Sequence, residues 1–279
     1  GRLNADVVLE NNNILVNGKK IIVTSERDPK KIAWNSLGVD LVLESTGIFL
    51  TKDTAYQHIK SGAKKVLLSA PSKDDTPMFV YGVNHLNYNE QMDIISNASC
   101  TTNCLAPIAK VIHDRFGISS GVMTTVHSAT ATQNVVDSTS SNNQRLGRGI
   151  LNNIIPSTTG AAKAVGKVVP ELNGILTGMA YRVPTSNVSV IDFSVNLKSE
   201  TSLDEICNVV IEASKNEMKG IIGYTDMEIV SSDFNGDTRT SIFDRNASLE
   251  LNPKFYKLVS WYDNETGYSH KLIEMARVM

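Results

Sequence analysis

Short apolar runs punctuated by Asn and Gly open the chain. Val7-Val8-Leu9, Ile14-Leu15-Val16 and Ile21-Ile22-Val23 read as strands, separated by Asn11-Asn12-Asn13 and by Asn17-Gly18. Asn and Gly tolerate the positive φ of a tight turn, so Asn17-Gly18 predicts a hairpin. From Val39 the pattern changes. Val39–Leu43 reads as a buried strand, Thr51 as the cap of a helix running through Ala55 and Ile59 to Gly62, and Lys65–Ser69 as a second strand. Strand, helix, strand at this spacing is a βαβ unit, and such units build parallel sheets. A further strand over Asp93–Ser96 ends just before Cys100.

Beyond it, Leu105–Ile112 has an apolar helical pattern closed by Gly117, and the spacing predicts helices over Gly160–Leu172, Leu203–Lys215 and Ser269–Val278. Strands are predicted at Val122–Val126, Gly178–Val183, Val188–Val195 and Phe255–Trp261. Long strands separated by single helices suggest a mostly antiparallel sheet with helices on one face. Two units meeting near Cys100 are expected. The chain has 279 residues, within the range for two modest domains, and no internal repeat or low-complexity linker divides it. A net charge of −2 with scattered basic residues offers no broad nucleic-acid or membrane patch. No apolar run approaches the ~20 residues of a membrane-spanning helix. Three cysteines exclude a disulfide scaffold and fit a reducing compartment.

The densest chemistry lies in Ser96–Cys104. A working cysteine needs local positive potential, because the thiolate is the nucleophile. Cys100 stands at a strand-to-helix junction, where unpaired N–H groups and the helix dipole supply it; Cys104 lies one turn inside the helix. Neither cysteine has a second pair or a neighbouring His to complete a zinc site, so no metal is expected. Ser99, Thr101 and Asn103 add donors for a substrate oxygen. Of five histidines, His127 is the candidate base: it ends the strand Val122–Val126, and strand ends face clefts.

These residues carry a resemblance. Ser96–Pro107 (SNASCTTNCLAP) resembles the active-site segment of the phosphorylating glyceraldehyde-3-phosphate dehydrogenases. Thr124–Ser128, Ile155–Val165, Arg182–Thr185 and Ser260–Glu265 are similar to that family in the same order, as is the 27-residue separation of Cys100 from His127. The resemblance implies an α/β chain: an incomplete Rossmann-type dinucleotide-binding domain over residues 1–99, with the helix 265–279 packing back on it, and an α+β catalytic domain over 100–264.

It also implies a mechanism. Cys100 attacks an aldehyde, His127 takes the proton, a hydride leaves to a nicotinamide, and inorganic phosphate releases the resulting thioester as an acyl phosphate. The substrate would be D-glyceraldehyde 3-phosphate, in a cytoplasmic homotetramer of glycolysis that needs neither membrane nor nucleic acid. Two anion sites are required. Arg182 has a forked guanidinium suited to phosphate, and Thr130 matches the family's substrate-phosphate threonine; Thr159 and Gly160 precede an Ala-rich helix whose N–H groups form an anion pocket, and Ser99 and Thr101 flank the nucleophile. Arg27, Ser69 and Asn264 resemble cofactor contacts, Asn264 by pairing its amide with the nicotinamide carboxamide.

Two features depart from the family. No G-x-G-x-x-G fingerprint is present, so the chain is expected to be N-terminally incomplete. Ser138-Thr139 stands where NAD-specific members usually carry Gly-Pro, which leaves NADP as the alternative to NAD. A related dehydrogenase for another sugar-phosphate aldehyde, such as erythrose 4-phosphate, and a non-catalytic truncated binding protein are competing functions. A papain-like hydrolase is not, since its His follows the Cys by ~130–150 residues.

Overall fold

A computed structural model describes residues 3–140 and 143–279. Strands β1 (Val7–Glu10), β2 (Asn13–Val16) and β3 (Lys19–Ile21) form an antiparallel meander. Asn17 and Gly18 both have positive φ, as the hairpin turn requires, and the turn pairs Val16 with Lys19. The third strand therefore starts at Lys19 and ends at Ile21, earlier than its apolar run, because the two-residue turn sets the register.

Strands β4 (Leu41–Glu44), β5 (Lys65–Leu68) and β6 (Ile94–Ser96) form a parallel sheet in that order, with α1 (Lys52–Lys60) as the crossover. Thr51 and Thr54 cap α1 reciprocally. The opposite face of the sheet is covered from the far end of the chain. On α5 (Thr266–Val278), Leu272 and Met275 pack with Leu67, Phe79 and Ile95. Lys65 Nζ donates to the Met279 carbonyl at 2.7 Å.

The remaining elements are α2 (Cys100–Phe116), β7 (Ile118–His127), β8 (Ile155–Thr158), α3 (Ala161–Val168), β9 (Leu176–Arg182), β10 (Ser189–Leu197), α4 (Leu203–Lys215), β11 (Ile222–Thr225), β12 (Ser241–Asn252) and β13 (Phe255–Tyr262). Seven strands make one sheet, ordered β11-β12-β13-β10-β7-β9-β8. The pairings β7–β9 and β11–β12 are parallel and the other four antiparallel. Apolar residues of α2, α3 and α4 form one core with the inner face of this sheet, among them Leu105, Val165, Ile206, Phe193 and Tyr256.

The pattern missed β8, β11 and β12, and the helix expected over Gly160–Leu172 breaks at Val169 into a separate 3-10 turn at Pro170–Leu172. Pro170 explains the break, since it has no N–H for the helix ladder. Helix α2 starts at Cys100, five residues before its apolar stretch, because Ser99 caps it there. No helix among the described residues is long and apolar enough to cross a membrane.

The parallel pair β7–β9 has little room to shift. Gly178 faces Met123 in the ladder, and a Cβ added at Gly178 would lie 2.5 Å from the Met123 carbonyl oxygen. Gly178→Ala is expected to destabilise the chain by about 1–3 kcal/mol, the usual cost of overpacking. Urea unfolding measures it, and an unchanged midpoint would mean that the two strands separate there without cost.

Candidate active site

The loop after β6 is built to present a cysteine. Asn97 N–H donates to the Leu68 carbonyl at 3.0 Å, which continues the sheet by one residue. Ala98 then turns with φ +57°, a conformation that L residues adopt at a cost, and Tyr268 Oη donates to its carbonyl at 3.0 Å. Ser99 Oγ accepts from the Thr102 N–H at 3.1 Å and so caps α2. Cys100 is thus the first helical residue, its sulfur beside the unpaired N–H groups of the first turn. It is half-buried, whereas Cys104 and Cys207 are buried.

Two opposing effects act on the Cys100 thiol. Burial pushes its pKa up, and the Thr101 hydroxyl and N–H with the Arg182 guanidinium pull it down. Burial wins, so the resting group is a thiol, not the activated thiolate expected from the helix start alone. Burial is the effect that the sequence pattern did not display.

His127 ends β7, with its Nε2 3.5 Å from Cys100 Sγ. Its Nδ1 lies 2.9 Å from the Ser128 carbonyl and 2.6 Å from Arg182 Nη1. Burial first, then the Arg182 charge, push the imidazole pKa down to about 4. The ring is therefore neutral near pH 7, in the state that can take a proton. Arg182 arrives through the sheet: β7 and β9 are paired so that His127 faces Arg182 directly. Arg182 Nη1 also donates to the Ser128 carbonyl at 3.3 Å, and its Nε is buried without a partner.

The other predicted residues divide. The Thr101 hydroxyl reaches Tyr262 Oη at 2.9 Å, and Tyr262 in turn contacts Thr125 Oγ1 at 2.9 Å. Thr130, three residues past His127, is half-buried and donates to Gln133 Oε1 at 3.0 Å. Thr159 Oγ1 accepts from the Ala161 N–H at 3.2 Å at the start of α3. Gly160 is exposed, and a Cβ there would meet nothing within 4 Å, so open space adjoins that helix start. Among the described residues, no hydrogen bond joins Thr130, Thr159 or Gly160 to the Cys100–His127–Arg182 line.

Of the dinucleotide-contact candidates, Ser69 stands at the C-terminal end of a parallel strand, the edge where open α/β sheets bind ligands. Ser69 follows β5, and its N–H donates to the Glu44 carbonyl at the end of β4. Asn264 follows β13. Its Oδ1 accepts from Ser128 Oγ and from Ser189 Oγ, each at 2.9 Å, and Ser189 Oγ itself accepts the Ser128 N–H. With both hydroxyl protons spent on Oδ1, the Asn264 NH₂ must face the other way, where no acceptor among the described residues meets it. That unpartnered donor fits a carboxamide oxygen. Asp263 fixes the backbone beside it, accepting from the Gly236, Glu265 and Thr266 N–H groups and from Asn187 Nδ2. Arg27 is exposed in the loop after β3, its guanidinium without a hydrogen bond or ion pair among the described residues.

Sequence reasoning missed Ser128, Ser189, Tyr262, Tyr268 and Asp263. Each acts across a sequence separation of many tens of residues or through a backbone atom, which a linear pattern does not reveal.

Comparisons with known proteins bear on the same residues. The family model described as "Glyceraldehyde 3-phosphate dehydrogenase, C-terminal domain" matches residues 99–264, and that described as "Glyceraldehyde 3-phosphate dehydrogenase, NAD binding domain" matches residues 1–52. A glyceraldehyde-3-phosphate dehydrogenase of Buchnera aphidicola subsp. Schizaphis graminum is 60% identical over 279 residues, covering 100% of this chain and 84% of that protein. One of Bacteroides fragilis is 61% identical over the same coverage. A relative named glyceraldehyde-3-phosphate dehydrogenase, cytosolic, of Leishmania mexicana is 58% identical over 275 residues, covering 99% of this chain and 83% of the relative.

Two outcomes follow from the electrostatics. Iodoacetamide applied to the folded chain, with peptide mapping, is expected to modify Cys100 well before Cys104 and Cys207, because only Cys100 is accessible. Equal labelling of all three would contradict this placement. His127 also makes stability depend on pH. Its folded pKa of about 4 lies below the unfolded value, so between the two the unfolded chain binds the extra proton. His127 therefore takes nothing from stability above pH ~6.5 and up to about 3 kcal/mol as pH falls towards 4. Denaturant unfolding across that window should fall less steeply with acid for His127→Asn than for the parent chain; parallel slopes would place the histidine pKa near its ordinary value.

Proposed function

Since the chain belongs to the glyceraldehyde-3-phosphate dehydrogenase family, we propose that it oxidises D-glyceraldehyde 3-phosphate with NAD and captures the product on inorganic phosphate, through a thioester on Cys100. The observation that carries this assignment is the line Sγ of Cys100, Nε2 of His127 and Nη1 of Arg182, with contacts of 3.5 and 2.6 Å. It joins a nucleophile, a neutral base and a cation in one cleft.

The steps divide among these groups. Cys100 Sγ attacks the aldehyde carbon as His127 Nε2 takes the thiol proton, which gives a thiohemiacetal. N–H groups at the start of α2 face the oxygen that becomes negative. Bound NAD supplies the hydride acceptor, and the Asn264 amide, aimed by Ser128 and Ser189, orients it. A thioester remains on Cys100. A phosphate oxygen attacks its carbonyl carbon, the C–S bond breaks, and the acyl phosphate leaves with the sulfur regenerated.

Arg182 with Thr130 holds the phosphate of the aldehyde, and Thr159, Gly160, Ser99 and Thr101 border the place of inorganic phosphate. The unpartnered Nε of Arg182 and the open space beside Gly160 support that division. Ser69 and Arg27 contact the dinucleotide, whose binding unit comprises 1–99 with 265–279; residues 100–264 form the catalytic unit. A homotetramer in the cytosol completes the proposal. Its support is the apolar surface left exposed on the outer face of the large sheet at Val122 and Val126, and in the adjoining loops at Val135, Val136, Leu151 and Ile154.

Steady-state kinetics with two aldehydes tests the phosphate assignment. Losing one charged hydrogen-bond partner in a partly desolvated cleft costs about 1.5–3 kcal/mol, or roughly 10- to 150-fold in affinity. Arg182→Leu should raise KM for the phosphorylated aldehyde by that factor and affect an unphosphorylated short aldehyde much less. Equal losses on both would make Arg182 a structural residue.

A further inference from the structure

Ala98 holds a backbone conformation that its own side chain does not favour. Among the described residues six non-glycine positions have positive φ, and four of them are Asn, whose short amide supports the left-handed region. Ala98, at φ +57°, has only a methyl group; it is fully buried and lies two residues before Cys100. The surroundings must therefore hold it there. Both of its polar groups are engaged by side chains. The Ala98 N–H donates to Ser96 Oγ at 3.1 Å, and the Ala98 carbonyl accepts from Tyr268 Oη at 3.0 Å. The N–H belongs to the peptide plane before Ala98 and the carbonyl to the plane after it, so the two bonds together fix φ and ψ.

Ser96 is a rigid support for this turn. Its hydroxyl has one proton, which goes to the Ala70 carbonyl at 2.7 Å and leaves a lone pair for the Ala98 N–H. Its backbone is held on both sides. The Ser96 N–H donates to the Pro77 carbonyl and the Ser96 carbonyl accepts from the Phe79 N–H, each at 2.8 Å, and Ser96 is the partner of Leu68 in the parallel ladder. We infer that Ser96 is a positioning residue for Cys100: with Tyr268 it clamps Ala98 in the left-handed turn, and that turn brings the sulfur to His127. Without the clamp Ala98 relaxes towards negative φ, the chain enters α2 in another direction, and the 3.5 Å contact of Sγ with Nε2 is lost. The Ser96 hydroxyl touches no reacting atom and acts through the backbone alone. Its role rests on Cys100 being the nucleophile of the proposed reaction.

The test follows the sulfur and needs neither cofactor nor substrate. Iodoacetamide is applied to the full folded chain, and peptide mapping gives the labelling rates of Cys100, Cys104 and Cys207. In Ser96→Ala the Cys100 rate is expected to fall by about tenfold as the sulfur leaves His127 and Arg182, less than the ~100-fold that a 1 Å misplacement of reacting groups can cost. Cys104 and Cys207 are expected to stay protected. Ala98→Gly added to Ser96→Ala is expected to recover most of the loss, because glycine adopts positive φ without a side-chain penalty and needs no clamp. A glycine placed in a merely weakened fold would not restore the rate. Tyr268→Phe serves if Ser96→Ala exposes all three cysteines; it removes only the bond to the Ala98 carbonyl, and the same fall and recovery are expected. An unchanged Cys100 rate in either folded variant, or a loss that Ala98→Gly does not repair, overturns the clamp and leaves the nucleophile assignment standing. Equal labelling of the three cysteines in the parent chain overturns that assignment and the positioning role with it.

Discussion

Much of the site depends on the parallel register of β7 and β9. The ladder runs from Gly121 opposite Leu176 to His127 opposite Arg182, and partners in register project to the same face of a sheet. A slip of one residue would send one of the two side chains to the opposite face. The imidazole and the guanidinium therefore meet because the strands do, and Gly121 and Gly178 let the strands pack closely enough to keep that register. Helix α2 adds the third member. Its first residue is fixed by the Ser99 cap and by the Tyr268 bond to the turn at Ala98, so the sulfur reaches the imidazole from a helix packed on the same sheet.

The candidate site was legible where its residues are contiguous. Ser96–Cys104 combines a strand end, a cap and a helix start within nine positions, and His127 declares itself by ending a strand. The parallel sheet was legible for a related reason, since β4, β5 and β6 are continuous apolar runs. What escaped has physical causes. Strand β12 is the longest of all, but Arg245 and Asn246 interrupt its alternation and its register shifts between Asp244 and Leu249. Strand β8 contains Pro156, tolerated because β8 is an edge. The hydroxyls that aim Asn264 lie 75 and 136 residues from it, so only the folded chain brings them to the amide.

The thiol is the case where a correct local inference met a larger effect. A helix N-terminus does favour a thiolate. Helix dipole effects are worth about 0.3–1 kcal/mol at exposed positions, whereas removing a charged group from water costs more than that. Burial of Cys100 accordingly outweighs its helix-start position, and the Thr101 donors and Arg182 recover only part of the difference.

Charge balance then constrains when the reaction can proceed. Proton transfer from Cys100 to His127 creates an imidazolium beside a guanidinium that touches the same ring. Two like charges at ~4 Å repel by about 4 kcal/mol at an effective dielectric constant near 20, which opposes the transfer. The thiolate formed at the same moment offsets part of this, since it attracts both cations. A phosphate ester held by Arg182, as proposed, would offset more, because its charge is permanent and its oxygens accept from the guanidinium. On the proposed assignment, the cation that depresses the base would thus become the counterion of the substrate, so that one residue bears on both the resting protonation and the bound phosphate.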